Sequence, residues 1–333
     1  MRPGIMVNGG AAVRTNAHDP LLGKAARLYY DHGLTQAEIG ELLSLSRVKV
    51  TRVLAEARRA GIVEITVHSD ERPFADIEAA LVRRFGLQSA WVCPSLGPGE
   101  ERSPSSLGVT GAEALASVLP HVQRVAVGMS TAVAASVAHL RYQSDSAVEV
   151  VPLAGSRGGR SSEANPHEVA TTLARVVGGT AYHLPAPLLA TAPEAAAAIR
   201  GLDEVQGTLD AAAAADALVV GIGSTARVAQ ALRRSVTETE FATLRELGAV
   251  GDASARFFDA NGEAVDGPID KRVIGLTLEH MRAIPTRVGI AGGIEKHIPL
   301  FTALETGLVN IVVTDIDSAR ALLTRPVARP VTA

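Results

Sequence analysis

The sequence is short of several things, and each shortage excludes a class of function. It has a single cysteine, Cys93, in 333 residues. No disulfide can therefore close within the chain and no multi-thiolate metal site can form, in keeping with a reducing compartment. An excess of one charge is missing too. Thirty-two Lys plus Arg against 35 Asp plus Glu leave a net charge of -3, which excludes a globally basic coat for nucleic acid or membranes and confines any such role to one segment. No apolar run is long enough to span a bilayer, which takes about 20 residues. The most apolar stretch, Ala211 to Gly223, is interrupted by Asp216. The N-terminus lacks a basic start followed by an apolar run and a cleavage site, so the sequence predicts no export signal and a cytoplasmic location. His18, His68, His121 and His297 fall at no metal-ligand spacing. Asp315 and Asp317 read as a turn and cap, and no cofactor is predicted.

What is present is apolar content for sizeable cores, 47% of the chain, and a length that suits about two domains. Residues 1–19 show neither helical nor strand period and read as a disordered terminus. Residues 20–68 read as three helices and a short strand. The polar, Pro-stopped stretch from Ser69 to Arg72 and Pro73 opens a linker over 69–75, and residues 76–330 form a second domain. There, the apolar runs Val125–Val127, Val148–Pro152, Ala217–Gly221, Val288–Ala291 and Ile311–Thr314 alternate with Ala-rich helical stretches. That alternation predicts an α/β fold: a Rossmann-like parallel sheet with helices on both faces.

In the first domain, Thr35-Gln36-Ala37-Glu38 is a capping box that starts one helix, and Ser44-Leu45-Ser46 is a short turn with a second cap. The next helix runs to about Ala60 and stops at Gly61. On a helical wheel Val50, Val53, Leu54 and Ala57 share a buried face, and Val48, Thr51, Arg52, Ala55 and Arg59 lie opposite. Five bases, Arg47, Lys49, Arg52, Arg58 and Arg59, stand against one acid, Glu56. A solvated charged face is the ordinary meaning of such a run. The capping box, the short turn, the buried face and the preceding helix together instead predict a helix-turn-helix that enters a major groove N-terminus first. Ser46, Arg47, Lys49, Thr51 and Arg52 are its candidate DNA contacts, with Arg52 on a base edge and Arg47 and Lys49 mainly on phosphate. The segment Ile62–Val67 is a small wing or the exit to the linker.

In the second domain several apolar runs end in glycine, and in open parallel sheets ligands sit beyond the carboxyl ends of strands. Val127-Gly128-Met129-Ser130-Thr131 offers hydroxyls and backbone N–H groups at a helix start, suited to phosphate, although a plain turn with a serine cap has the same look. Gly155 to Arg160 carries two guanidinium groups on a flexible corner. Gly248 to Asp252 puts a carboxylate on a turn, where it could accept from sugar hydroxyls. Ala291 to Lys296 places one of only four lysines after a double glycine, in a chain that uses 28 arginines, which suggests a point-charge phosphate contact.

The combination resembles the SorC-type (SorC/DeoR) sugar-binding transcriptional regulators of bacteria over about residues 20 to 325. The residues that carry it are four blocks in order: Gly248 to Asp252, Phe257 to Gly262, Ala291 to Lys296, and Asn310 to Asp315. The resemblance implies an effector domain like those of sugar-phosphate isomerases and deaminases, used for sensing. It further implies that Thr131 matches a phosphate-loop hydroxyl, Asp252 a sugar-hydroxyl contact and Lys296 a phosphate-binding lysine, with Arg157 and Arg233 as basic contacts. Met129 stands where a Trp or Gly is common, and Ala132 where a second Thr is. The expected protein is thus a regulator of carbohydrate genes that binds operator DNA and a sugar or sugar phosphate at Gly128, Ser130, Thr131, Arg157, Arg233, Asp252 and Lys296. A homo-oligomer, a dimer of dimers, is expected, with Phe74 to Val92 and the Ala-rich helices as candidate interface. The alternative is an active isomerase or deaminase with an accessory DNA-binding segment.

Overall fold

The computed structural model describes residues 20–63, 73–97, 104–141, 148–156, 165–226 and 236–326. Contacts divide the chain into two compact units, residues 1–72 and 73–333. In the first unit, helices α1 (Pro20–Tyr30), α2 (Gln36–Leu43) and α3 (Arg47–Arg59) enclose a small core of Leu22, Ala25, Ala26, Ile39, Val50, Val53, Leu54 and Ala57. Alanine at three of these positions lets the helices approach closely. The turn between α2 and α3 is tight because Ser44 adopts a left-handed conformation (φ 54°), a conformation that L-residues other than Gly, Asn and Asp rarely accept. Of the expected wing, only Ile62 and Val63 are among the described residues, and both pack against the core.

The second unit is built on a parallel sheet. Its strands are β1 (Ser89–Cys93), β2 (Arg124–Val127), β3 (Glu149–Pro152), β4 (Thr180–Ala181), β5 (Ala217–Ser224), β8 (Thr286–Ile290) and β9 (Ile311–Asp315), in the order β1-β9-β8-β5-β2-β3-β4. Two further strands, β6 (Gly251–Ala253) and β7 (Arg256–Phe258), form a hairpin antiparallel to the far end of β5. Successive side chains of a strand point to opposite faces, and here they enter two separate cores. Ala217 and Val219 of β5, with Val125 and Val127 of β2, pack with Leu107 and Leu115 of α5 (Pro104–Val118) and Val133 of α6 (Thr131–His139). Leu218, Val220 and Ile222 of β5 belong to the other core, with Leu209 of α7 (Asp203–Ala213), Leu300 of α8 (His297–Glu305) and Leu322 of α9 (Ile316–Thr324). The five apolar runs are the five central strands, because strands covered on both faces have no polar side.

The segment Phe74 to Val92, a candidate interface in the sequence, gives most of its apolar side chains to the core of its own unit. It holds α4 (Ala75–Phe85) and most of β1, and its Leu81, Leu87, Ala90, Trp91 and Val92 are buried within the unit. Cys93, the next residue, is also enclosed, and burial together with the nearby Asp315 carboxylate pushes its thiol up to about 12. Since the thiolate is the reactive form, Cys93 is expected to resist a thiol-specific reagent at pH 8 in the native protein and to react fully in denaturant. Rapid labelling without denaturant would contradict its placement.

Candidate functional site

The nucleic-acid end is organised by local hydrogen bonds. The Glu38 N–H donates to Thr35 Oγ1 (3.3 Å) and the Thr35 N–H donates to Glu38 Oε2 (2.8 Å), completing the capping box at the start of α2. The Thr35 N–H first, and the Thr35 hydroxyl second, which donates to the same Oε2 (2.7 Å), hold the Glu38 carboxyl below its ordinary range. Ser46 caps α3 by accepting from the Lys49 N–H (3.3 Å). Arg47, Lys49, Thr51, Arg52, Arg58 and Arg59 are all exposed, whereas Val50, Val53, Leu54 and Ala57 are buried. The basic side chains are therefore presented outward from a helix whose position is fixed by its apolar side. Thr51 Oγ1 has two acceptors within reach, Gln36 Oε1 (2.9 Å) and the Arg47 carbonyl (3.0 Å). Gln36 thus joins the first turn of α2 to the outer face of α3. Sequence reasoning passed it over because its only mark is its place just after the Thr35 cap.

In the second unit, Gly128, Ser130, Asp252 and Lys296 come together at the carboxyl edge of the sheet. The Ser130 hydroxyl caps α6, accepting from the N–H groups of Ala132 (3.2 Å) and Val133 (3.3 Å). Thr131 is the exposed first residue of that helix. Neighbouring β5 ends in close contact with both groups: a Cβ on Gly221 would lie 2.1 Å from Ser130 Oγ, and one on Gly223 would lie 1.7 Å from Asp252 Oδ1. A side chain at either position would force Ser130 or Asp252 out of its observed place. Asp252 does not sit on a turn, as its glycine-rich surroundings suggested; it is the middle residue of β6, opposite Gly223. The two-residue turn between β6 and β7, Ser254-Ala255, has both φ values positive (49° and 67°), as tight hairpins require. It directs Ser254 Oγ to accept from the Met129 N–H (2.9 Å), tying the hairpin to the Gly128 loop.

The electrostatics of Asp252 set the character of this group of strand-end residues. It is 7% exposed, and burial drives its carboxyl above the ordinary range, opposed by the positive charge of Lys296 and by the Ala255 N–H at 3.1 Å from Oδ2. A carboxyl whose pKa is raised on folding makes the native state less stable as pH climbs from the ordinary Asp value through the raised one. Asp252→Asn is therefore expected to hold or raise the thermal midpoint at pH 7, an advantage that shrinks toward pH 4. A midpoint that falls at pH 7 would contradict the origin given for the shift. Asp315, expected to be a cap, is one: it accepts from the N–H groups of Asp317 (3.1 Å) and Ser318 (3.0 Å), and its other oxygen takes the Gly293 N–H (2.7 Å) just ahead of Lys296. Arg157 and Arg233 lie outside the described residues.

Residues 72–324 match a family model, Sugar-bind, described as "Putative sugar-binding domain". The transcriptional regulator LsrR of Enterobacter sp. (strain 638) is 35% identical over 312 residues, covering 92% of this chain and 93% of its own. LsrR of Klebsiella pneumoniae is 34% identical, with 92% and 94% covered. The full-length sorbitol operon regulator SorC from Klebsiella pneumoniae superposes with a TM-score of 0.72 at 28% identity, over 91% of this chain and 98% of that one.

The chain belongs to the SorC-type sugar-binding transcriptional regulators. Membership covers both units, since the matches to LsrR and SorC extend over more than nine-tenths of the chain. The four blocks that carried the resemblance fall on the β6–β7 hairpin off the end of β5, on the segment that directly follows β8, and on the whole of β9, the neighbour of β8 in the sheet. Among the described residues no group of three or more His, Cys, Asp or Glu could hold a metal ion, and no helix is long and apolar enough to cross a membrane.

Proposed function

We propose that the protein is a cytoplasmic regulator of carbohydrate-metabolism genes whose grip on operator DNA is set by a sugar or sugar phosphate. Ser46, Arg47, Lys49, Thr51 and Arg52 hold the DNA. Gly128, Ser130, Thr131, Asp252 and Lys296, with Arg157 and Arg233, hold the effector. The observation that carries this reading is the enclosed Asp252 carboxyl beside the Lys296 ammonium, at the strand ends that also hold the start of α6. Lys296 supplies charge for a phosphate, the exposed Thr131 hydroxyl at the start of α6 donates to its oxygens, and Asp252 accepts from a sugar hydroxyl. That pairing favours a sugar over a simple anion. The names of the relatives, transcriptional regulator LsrR and sorbitol operon regulator SorC, support it.

The pocket binds without turnover. Isomerisation or deamination needs an acid and a base that exchange a proton with the substrate, and Asp252 is the one carboxylate that the proposed site places at a glycine corner, already held by the Ala255 N–H. Incubation with phosphorylated pentoses and hexoses should give no product. A single helix-turn-helix makes few contacts and operator symmetry mirrors protein symmetry, so the working form is a homo-oligomer, a dimer of dimers. Light scattering at micromolar concentration with operator present tests this, and a monomer would oppose it.

A thermal-shift screen of sugars and sugar phosphates tests the effector half. A ligand at 100 times its dissociation constant should add about 2.7 kcal/mol of stability. For the DNA half, Arg52→Ala should cost about 1–3 kcal/mol of operator affinity and relax selectivity at one base pair. Unchanged affinity and selectivity would show that the groove face is assigned wrongly.

A further inference from the structure

The outer face of α3 is not uniformly polar. Val48, its second residue, is 66% exposed, although the core of this unit is complete without it. By the 100° helical step Val48 lies about 160° from the buried Val50, so it stands near the centre of the outward stripe. It shares that stripe with Arg52, one turn further on, and Thr51 is its neighbour three residues along. Thr51 carries a hydroxyl already within bonding distance of Gln36 Oε1 and the Arg47 carbonyl, which leaves its methyl group as the unengaged part of the side chain. At the end of α3 that a major groove receives most deeply, the helix thus offers two apolar groups among charged ones.

An isopropyl group can neither donate nor accept a hydrogen bond, so it does nothing for phosphate and nothing for the polar edges of guanine, cytosine or adenine. The one apolar feature of the major groove is the C5-methyl group of thymine. We infer that Val48 is a specificity-determining residue that packs on a thymine C5-methyl in the operator, with the Thr51 methyl flanking it and Arg52 reading an adjacent base edge. The inference rests on the proposed DNA-binding role of α3 and goes beyond it by naming the base and the chemical group that are read.

Deoxyuridine differs from thymidine only in lacking that methyl, and so isolates the contact. The full chain is used to select a duplex from a random pool, and each thymine of the selected site is then replaced in turn by deoxyuridine. Burial of one methyl group predicts that the parent loses about three- to fivefold in affinity at one or two positions per half-site. Val48→Ala should bind the thymine and deoxyuridine duplexes alike at those same positions, with its thermal midpoint unchanged because the residue is exposed. Two results overturn the inference: a parent indifferent to every replacement, or a Val48→Ala variant that keeps the parent's full sensitivity. If the parent selects no duplex at all, the DNA-binding role of α3 itself falls and the reading of Val48 falls with it, an outcome distinct from selection without thymine dependence.

Discussion

Lys296→Ala is expected to abolish the response to effector while leaving effector-free binding to operator DNA intact. A hydrogen bond to a charged group contributes about 1.5–3 kcal/mol, so its loss should weaken a phosphorylated ligand by roughly 10- to 150-fold. The variant also removes the positive charge that opposes burial at Asp252, driving that carboxyl further toward its neutral form and weakening it as a hydroxyl acceptor. Both consequences act on the ligand and neither touches α3. Calorimetric titration of parent and variant with a sugar phosphate from the thermal-shift screen gives the ratio directly. A variant that binds and responds like the parent would remove Lys296 from the site.

Arg256→Ala should strongly destabilise the second unit. The side chain is 6% exposed and pairs with Asp270 at 2.8 Å. Its guanidinium also donates to the carbonyls of Leu276 (2.9 Å), Asp270 (2.9 Å) and Gly275 (3.0 Å). Those carbonyls belong to a strap that crosses the end of the sheet, bridging to Ala154 through Gly275 and to Leu189 through Val273. Truncation removes at once the partner of the Asp270 carboxylate and the guanidinium donors of the Leu276 and Gly275 carbonyls, while the Asp270 carbonyl keeps the Val273 N–H, and breaking such a pair costs about 3–5 kcal/mol. In the β6–β7 register Asp252 faces Phe257 and Ala253 faces Arg256, so Arg256 and Asp252 project from opposite faces of one hairpin. Arg256→Ala is therefore expected to loosen effector binding as well. Denaturant unfolding reads the first effect, and a loss below about 1 kcal/mol would contradict the description of the strap.

Legibility in the sequence followed how local each interaction is. The capping box at Thr35 and the cap at Ser46 span three residues and could be read directly. The five central strands were visible because burial on both faces makes them continuous apolar runs. β6 and β7 were not, since each has three residues and their turn uses Ser254 and Ala255 at positive φ where Asn-Gly would have announced it. β1 was hidden inside a longer apolar stretch that reads equally as surface or core. Lys296 and Asp252 were each marked by glycine-rich corners, yet the reason for the Gly223 next to Asp252 is steric and appears only when β5 and β6 are paired. Ser254 and Asp315 escaped notice as organisers of the pocket because their partners, Met129 and Gly293, are 125 and 22 residues away.

The central claim is that one chain couples a sugar pocket to a DNA-reading helix, and coupling between two binding sites is reciprocal. The most direct test is a fluorescence-anisotropy titration of the full chain onto its selected duplex, with and without a saturating sugar phosphate that has been shown to raise the thermal midpoint. The account predicts a change in DNA affinity of about 5- to 150-fold, the usual range for coupled sites, and no change for Lys296→Ala at a ligand concentration that only just saturates the parent. An affinity for DNA that is the same with and without a ligand that demonstrably binds the parent would contradict it.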